Sequence, residues 1–112
     1  MAIPIAPAGV NKWTHIAPSI FIDDGVRTVA SAGTDVPLSA SSVLCAWVVI
    51  QAQTDNTGII AVGGAGVDAT VATGTGVALS AGGSMVIEIR DLSLIYIDAT
   101  VSGDGVRYTY GA

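Results

Sequence analysis

The sequence predicts an all-β protein: a single β-sandwich, jelly-roll-like, with an extended N-terminal arm. Three observations support this fold class. Short runs rich in Val, Ile and Thr alternate with clusters of Gly, Asp, Asn and Ser, as strands alternate with turns. No segment has the periodicity of an amphipathic helix. The 112 residues suit one domain, and the close spacing of the short strands is typical of a sandwich.

Residues 1–18 are predicted to form the extended arm, and residues 19–112 the β-sandwich domain. Proline cannot donate to a strand ladder, and the arm contains Pro4, Pro7 and Pro18. It also carries four large apolar side chains that are unusual in a free terminal segment: Ile3, Ile5, Trp13 and Ile16. Packing on its own domain and packing on a neighbouring subunit are both open. We take these four as candidate protein-interface residues and expect the arm to reach beyond its own sandwich.

The first strands of the domain are short. Ser19–Ile22 and Val26–Ala30 flank Asp23-Asp24-Gly25, which is typical of a hairpin turn because glycine accepts positive φ. The two neighbouring carboxylates are interpreted as turn residues, since on a strand they would point to opposite faces. Thr34–Leu38 contains Pro37 and is expected to be an edge strand or a connection.

The segment from Val43 to Gln53 is the strongest predicted strand. It is apolar throughout Val43–Ile50, which predicts a central strand covered on both faces. Trp47 is therefore expected in the core, and Cys45, the only cysteine, is expected to be a buried structural thiol. Asp55-Asn56-Thr57-Gly58 then predicts a hairpin turn into a strand at Ile59–Val62.

The second half of the chain begins with a loop rich in Gly, Ala and Thr, from Gly63 to Gly76. Strands are predicted at Val77–Leu79, Ser84–Arg90, Leu94–Asp98 and Val106–Tyr110. Within Ser84–Arg90, apolar Met85, Ile87 and Ile89 alternate with Val86, Glu88 and Arg90. This period of two predicts that the first three side chains face the core.

Charge and composition exclude several classes of function. Four Lys and Arg against nine Asp and Glu give a net charge of −5, so no large basic patch for nucleic acid or anionic membrane is expected. The only histidine is His15, and one histidine with one cysteine cannot form a His/Cys zinc site. We expect no catalytic residue, no metal and no cofactor.

With 51% hydrophobic and 12% charged residues, the chain is predicted to form a homo-oligomer, a trimer or dimer.

Two other patterns suggest ligands. Gly63–Val71 is close to a calcium-binding nonapeptide, but Thr70 replaces its large apolar residue and the pattern occurs once, so a glycine loop is the preferred interpretation. Tyr96, Tyr108 and Tyr110 could line a sugar-binding face or be ordinary strand residues.

The N-terminus lacks a signal-peptide pattern, and no apolar run is long enough for a membrane span, so synthesis in the cytoplasm is expected.

Residues 43–110 also resemble a family, the small virion structural proteins of tailed bacteriophages of the head decoration, or cement, type. The likeness lies in strand and turn motifs. They are Trp47–Ala52, Asp55–Gly58, Val62–Gly64, Val77–Gly83, Ile87–Ile89, Asp91–Ser93, Ile95–Ile97 and Val106–Tyr110. Ala81-Gly82-Gly83 departs from the Pro-Gly-Glu-like turn expected there, and the arm is not covered.

The resemblance implies a virion component. Its expected role is to bind and stabilise the head shell from the outer surface, with the major capsid protein or another virion protein as partner. A tail- or fibre-associated surface domain that binds host glycan is the alternative.

Overall fold

Eight strands and one single-turn 3-10 helix make up the regular structure of residues 20–112, the part of the chain that the computed structural model describes. The strands are β1 (Ile22–Thr28), β2 (Val36–Pro37), β3 (Trp47–Ala52), β4 (Ile60–Gly63), β5 (Val77–Leu79), β6 (Ser84–Ile87), β7 (Tyr96–Ala99) and β8 (Gly105–Gly111). The 3-10 helix, Leu92–Leu94, precedes β7. Residues 1–19 lie outside the described part, and so do the predicted arm, its residues Ile3, Ile5, Trp13 and Ile16, and His15.

The strands form two antiparallel sheets of four strands each. The first sheet has the order β1–β8–β3–β6, and the second has the order β2–β7–β4–β5. Each strand of the first half of the chain pairs with one of the second half: β1 with β8, β2 with β7, β3 with β6, and β4 with β5. One apolar core joins the inner sides of both sheets. The predicted all-β sandwich is confirmed.

The core follows from side-chain alternation along the inner strands. On β3, Val48, Ile50 and Ala52 are fully buried, while the residues between them are half-buried on the opposite side. Ile60 of β4 and Ile97 of β7, both fully buried, supply the second sheet's side of the same core. Burying an aliphatic side chain of this kind contributes about 1.5–3 kcal/mol to folding.

Several sequence-based elements are confirmed. Val77–Leu79 is β5, and Pro37 lies in the short edge strand β2. Met85, Ile87 and Ile89 pack against the core, as their alternation predicts.

The predicted hairpin turn at Asp23-Asp24-Gly25 is wrong. These residues lie inside β1, which pairs without interruption with β8. Gly25 stands opposite Tyr108, and a Cβ at Gly25 would lie 2.5 Å from the tyrosine Oη. The glycine therefore makes room for a ring rather than for a turn.

The predicted hairpin between β3 and β4 is also wrong, because the two strands belong to different sheets. The turn connecting them is hydrogen-bonded to the first residue of β8, Gly105, and to Asp104 before it. Asn56 Nδ2 donates to the Gly105 carbonyl oxygen at 2.8 Å, and the Gly105 N–H donates to Asn56 Oδ1 at 3.0 Å. The Asp104 carboxylate accepts the N–H groups of Thr57 and Gly58 at 3.3 and 2.8 Å. These bonds satisfy the turn at the end of the sandwich, where no strand ladder is available.

Trp47 is not in the core, contrary to prediction. It lies on β3 in alternation with Val48 and Ile50, so its side chain is on the outer side of the first sheet, half-buried. Within residues 20–112, the core therefore covers one face of the apolar run, and the other face is half-buried.

Candidate binding surface

The outer side of the first sheet carries a group of apolar residues in neighbouring positions. The strand register places them in rows across the sheet. We call this surface the outer face; its residues are Ile22, Gly111 and Trp47 in the first row, Asp24, Thr109, Val49 and Val86 in the second, and Val26, Arg107, Gln51 and Ser84 in the third. Directly opposed side chains on antiparallel strands lie about 4.5–5.5 Å apart, so the rows form a continuous surface.

The outer face has accessible apolar residues on its two edge strands, β1 and β6, and half-buried ones on β3. Ile22 is 67% exposed, Val26 63% and Val86 66%, while Trp47 and Val49 are half-buried. A sheet face that meets water ordinarily alternates to polar residues on that side. In this register Ile22, Trp47, Val49 and Val86 adjoin one another through Gly111, and an accessible apolar surface of this kind marks a place where another molecule binds.

A shallow depression lies between β1 and β3, over β8. Its volume is about 330 Å³, and its lining is Asp24, Gly25, Val26, Val49, Gln51, Arg107, Tyr108 and Thr109. Asp24 and Arg107 contribute opposite charges to its rim, and Thr109 and Gln51 contribute hydrogen-bonding groups. The outer face therefore combines apolar residues with charged and hydrogen-bonding ones, and the polar Thr109 and Arg107 lie on its inner strand β8.

The outer side of the second sheet is different, because the chain covers it. Residues 64–76 form a loop in which Val67 and Ala69 pack against Ala61 of β4 and Tyr96 of β7. The Ala69 N–H donates to Asp98 Oδ2 at 2.8 Å, which fixes the loop to β7. Residues 20–112 therefore cover the outer side of the second sheet and leave the outer side of the first sheet uncovered.

Three aspartates connect backbone segments that are distant in sequence by accepting hydrogen bonds from their N–H groups. Asp98, 1% exposed, accepts the N–H groups of Gly33 and Ala69, and Asp104 holds the turn after β3. Asp91 accepts from the Ser42 hydroxyl and from the N–H groups of Val43 and Ser93. The Ser42 hydroxyl, followed by the two N–H groups, holds the pKa of Asp91 well below its ordinary value. All three carboxylates have structural partners, and no period or spacing in the sequence marks them.

The remaining residues singled out in the sequence are dispersed. Cys45 is a buried thiol, as predicted; its Sγ donates to the Ile89 carbonyl oxygen at 3.2 Å, and burial raises its pKa. Tyr96 belongs to the second sheet, whereas Tyr108 and Tyr110 lie side by side on β8 with ring centroids 6.0 Å apart. The three tyrosines do not share one face. Asp68, in the glycine loop, accepts from the Thr70 hydroxyl, which lowers its pKa.

Comparison of the chain with protein-family models, curated proteins and solved structures finds no match. Within residues 20–112, no three side chains of His, Cys, Asp or Glu come together as metal ligands. The same residues contain no helix with the length and apolar character of a membrane span. The outer face is the candidate functional site because it is the apolar surface that the described chain leaves accessible on a sheet.

Proposed function

We propose that this chain is a bacteriophage virion structural protein, a capsid decoration (cement) protein that binds and stabilises the head shell. The observation that carries the proposal is the accessible apolar outer face, which suits a protein that works inside an assembly. The resemblance of residues 43–110 to phage decoration proteins supports the same role. On this proposal the partners are the major capsid protein or another virion protein, and further copies of the chain as a dimer or trimer.

We infer from the strand pairing that the sandwich is a jelly roll. Pairing β1 with β8, β2 with β7, β3 with β6 and β4 with β5 is what results when one long antiparallel hairpin is rolled into two sheets. Jelly rolls occur in viral capsid domains, which agrees with a virion role, and also in lectins.

The charge of the chain favours the outer surface of the head. A net charge of −5 is repelled by packaged DNA and carries no penalty on the outside of a shell. The proposed protein is made in the host cytoplasm, has no enzymatic activity and needs no cofactor.

A tail- or fibre-associated domain that binds host glycan is the second candidate. The depression on the outer face favours it, because Asp24, Gln51 and Arg107 place polar groups around a cavity of about 330 Å³. Sugar hydroxyls bind to such groups in pockets of a few hundred Å³.

Two measurements separate the two candidates. The first is binding of the purified full chain to capsid shells before and after expansion. The second is a cryo-EM map of the particle that carries the protein. The decoration proposal expects binding to expanded shells and density on the head. We expect Val86→Lys, on the outer face, to weaken shell binding at least about tenfold, since one charge in a desolvated interface costs more than 1.4 kcal/mol. Val71→Lys is the matched control, because Val71 is 80% exposed and lies outside the outer face. Absence of shell binding, with retention on a glycan array, overturns decoration in favour of the alternative.

A further inference from the structure

We propose that two copies of this chain associate through β1, whose free edge pairs antiparallel with the same edge of the second copy about a two-fold axis at Gly25. This pairing rests on the oligomer named in the proposed function and gives that oligomer a surface and a register. The same residues then serve on both copies. The pairing forms in solution without a shell, so its failure can be told apart from a failure of shell binding.

β1 is the longest edge strand of the two sheets. It ends the first sheet, and within residues 20–112 no strand pairs with its other edge. The other edge strands are short: β2 has two residues and contains Pro37, β5 has three and β6 has four. Short strands and proline keep an edge from pairing with another chain. β1 has seven residues, no proline and an uninterrupted register, so its edge can accept a further strand.

The backbone groups at this free edge follow from the pairing with β8. The Phe21 N–H donates to the Ala112 carbonyl oxygen at 3.3 Å, on the β8 side. The Val29 N–H donates to the Asp104 carbonyl oxygen at 2.9 Å, on the same side. Because direction alternates along an antiparallel strand, the even-numbered residues between them point their N–H and C=O groups away from β8. These residues are Ile22, Asp24, Val26 and Thr28.

The register centred on Gly25 brings opposite charges together. Asp23 of each copy lies opposite Arg27 of the other, at the non-hydrogen-bonded positions where opposed side chains are closest. Opposite charges at such positions attract, and like charges repel. An axis at Asp24 instead sets the two Asp24 carboxylates against each other. An axis at Val26 places Arg27 opposite Gly25 and leaves no charge pair.

Both charged groups are available for this contact. Asp23 is exposed, and its Oδ1 accepts the Asp24 N–H at 2.8 Å. Pairing gives that N–H a carbonyl acceptor on the second copy and releases the Asp23 carboxylate. Arg27 donates through Nε to the Pro37 carbonyl oxygen at 2.8 Å, and its terminal nitrogens have no acceptor within residues 20–112. The fork of the guanidinium therefore remains for a carboxylate.

The size of the edge sets a low affinity. A strand of seven residues is about 24 Å long, and with a depth of about 10 Å the edge buries about 240 Å² per partner. Interfaces below about 600 Å² per partner belong to the weak class. We therefore expect dimers of the free protein only at high concentration. A shell that holds copies side by side supplies that concentration.

Charge exchange on β1 tests the pairing. Sedimentation equilibrium of the full chain at about 500 µM should show a monomer–dimer equilibrium. Asp23→Arg sets like charges against Arg27 at two places in the dimer and should raise the dissociation constant at least about tenfold. Adding Arg27→Asp restores opposite charges in exchanged positions and should recover most of the affinity. Asp55→Arg is the matched control, because it makes the same charge change in an exposed turn and should leave the dimer intact.

Disulfide trapping determines the register and does not require the charge variants to fold. Asp23→Cys and Arg27→Cys chains are oxidised separately and as a mixture. We expect a disulfide-linked dimer from the mixture and none from either variant alone, because each introduced thiol faces the position of the other. The parent chain is the control: its Cys45 is buried, so it should run as a monomer on a non-reducing denaturing gel.

The opposite results overturn the pairing. A parent chain that stays monomeric at this concentration does not pair through β1. A dimer that tolerates Asp23→Arg as well as it tolerates Asp55→Arg forms through another surface. A disulfide within either single variant, or none in the mixture, shows that the strands do not meet about Gly25. Shell binding is measured separately, so a chain that dimerises without decorating shells contradicts the proposed function alone.

Discussion

Gly111 lies directly against the indole ring of Trp47, its partner across the β8–β3 ladder. A Cβ at Gly111 would come within 2.7 Å of the ring atom Cζ2 and within 2.6 Å of the Phe21 carbonyl oxygen. The Trp47 ring can therefore pack closely on the sheet because Gly111 has no side chain. This contact fixes the first row of the outer face.

Replacing this glycine should destabilise the protein. Because backbone on one side and a large ring on the other must both move, we expect Gly111→Ala to lower the free energy of unfolding by about 1–3 kcal/mol. Urea unfolding followed by tryptophan fluorescence measures the change. In the control Gly64→Ala the added Cβ meets nothing within 4 Å, so its stability should remain close to that of the parent. Equal stability of both variants would contradict the seating of Trp47.

Asp98 should be essential for holding the glycine loop. Its carboxylate accepts the Gly33 N–H at 3.0 Å and the Ala69 N–H at 2.8 Å, and Asp98→Asn puts an amide donor in front of one of these donors. We expect a loss of about 1–3 kcal/mol in the free energy of unfolding. Hydrogen exchange at the Ala69 amide should become faster in the variant. Asp55→Asn, in an exposed turn, serves as control, and unchanged exchange at Ala69 would contradict the role of Asp98.

The stabilising effect of Asp91 should depend on pH. Its folded-state pKa is lowered by hydrogen bonds, first that of the Ser42 hydroxyl, so its contribution is complete above the ordinary carboxyl value near 3.8 and is lost as pH falls below it. Asp91→Asn should therefore be less stable than the parent at pH 7. The difference between the two should shrink below about pH 4, where the Asp91 carboxyl of the unfolded parent begins to take up a proton while that of the folded parent stays charged.

Urea titrations at several pH values between 7 and 3 measure this difference. A difference in unfolding free energy that stays constant over the range would show that the Asp91 hydrogen bonds do not favour the charged carboxylate.

Cys45 should be slow to react in the folded protein. Burial, and then the charge of Asp91, raise the thiol pKa above its ordinary value near 9, so little thiolate exists at about pH 8. We expect alkylation by iodoacetamide to be at least about tenfold slower in the native protein than in urea. Mass spectrometry of quenched samples follows the reaction, and equal rates in the two conditions would show that the thiol is accessible.

The strands with a clear period of two could be predicted from the sequence, and those shaped by distant residues could not. The alternation in Ser84–Ile87 identifies its core face without any other information. Gly25 follows two aspartates and has the local character of a turn, yet its role depends on Tyr108, far along the chain. The change of sheet after β3 likewise depends on Asn56 and Gly105, which no local pattern connects.

The candidate surface could not be predicted from the sequence, because Trp47 and Val49 lie in an uninterrupted run of apolar residues. An uninterrupted run does not show which alternate positions face the core, so the sequence alone predicts an interior position for Trp47. Its neighbours Ile22 and Val86 belong to other strands, and only the register brings the three onto one face. The accessible apolar surface is a property of the pairing and not of any one segment.

The position of β8 has a consequence for biosynthesis. Of the eight strands in residues 20–112 it comes last in the sequence, yet it lies between β1 and β3 in its sheet. During translation β1 and β3 both lack β8, their shared neighbour in the described sheet, until that strand has left the ribosome. Pairing of this non-local kind is slow, and strands that wait with unpaired edges are prone to aggregate. The first sheet is therefore completed only after β8 has been synthesised, and until then β1 and β3 carry unpaired edges.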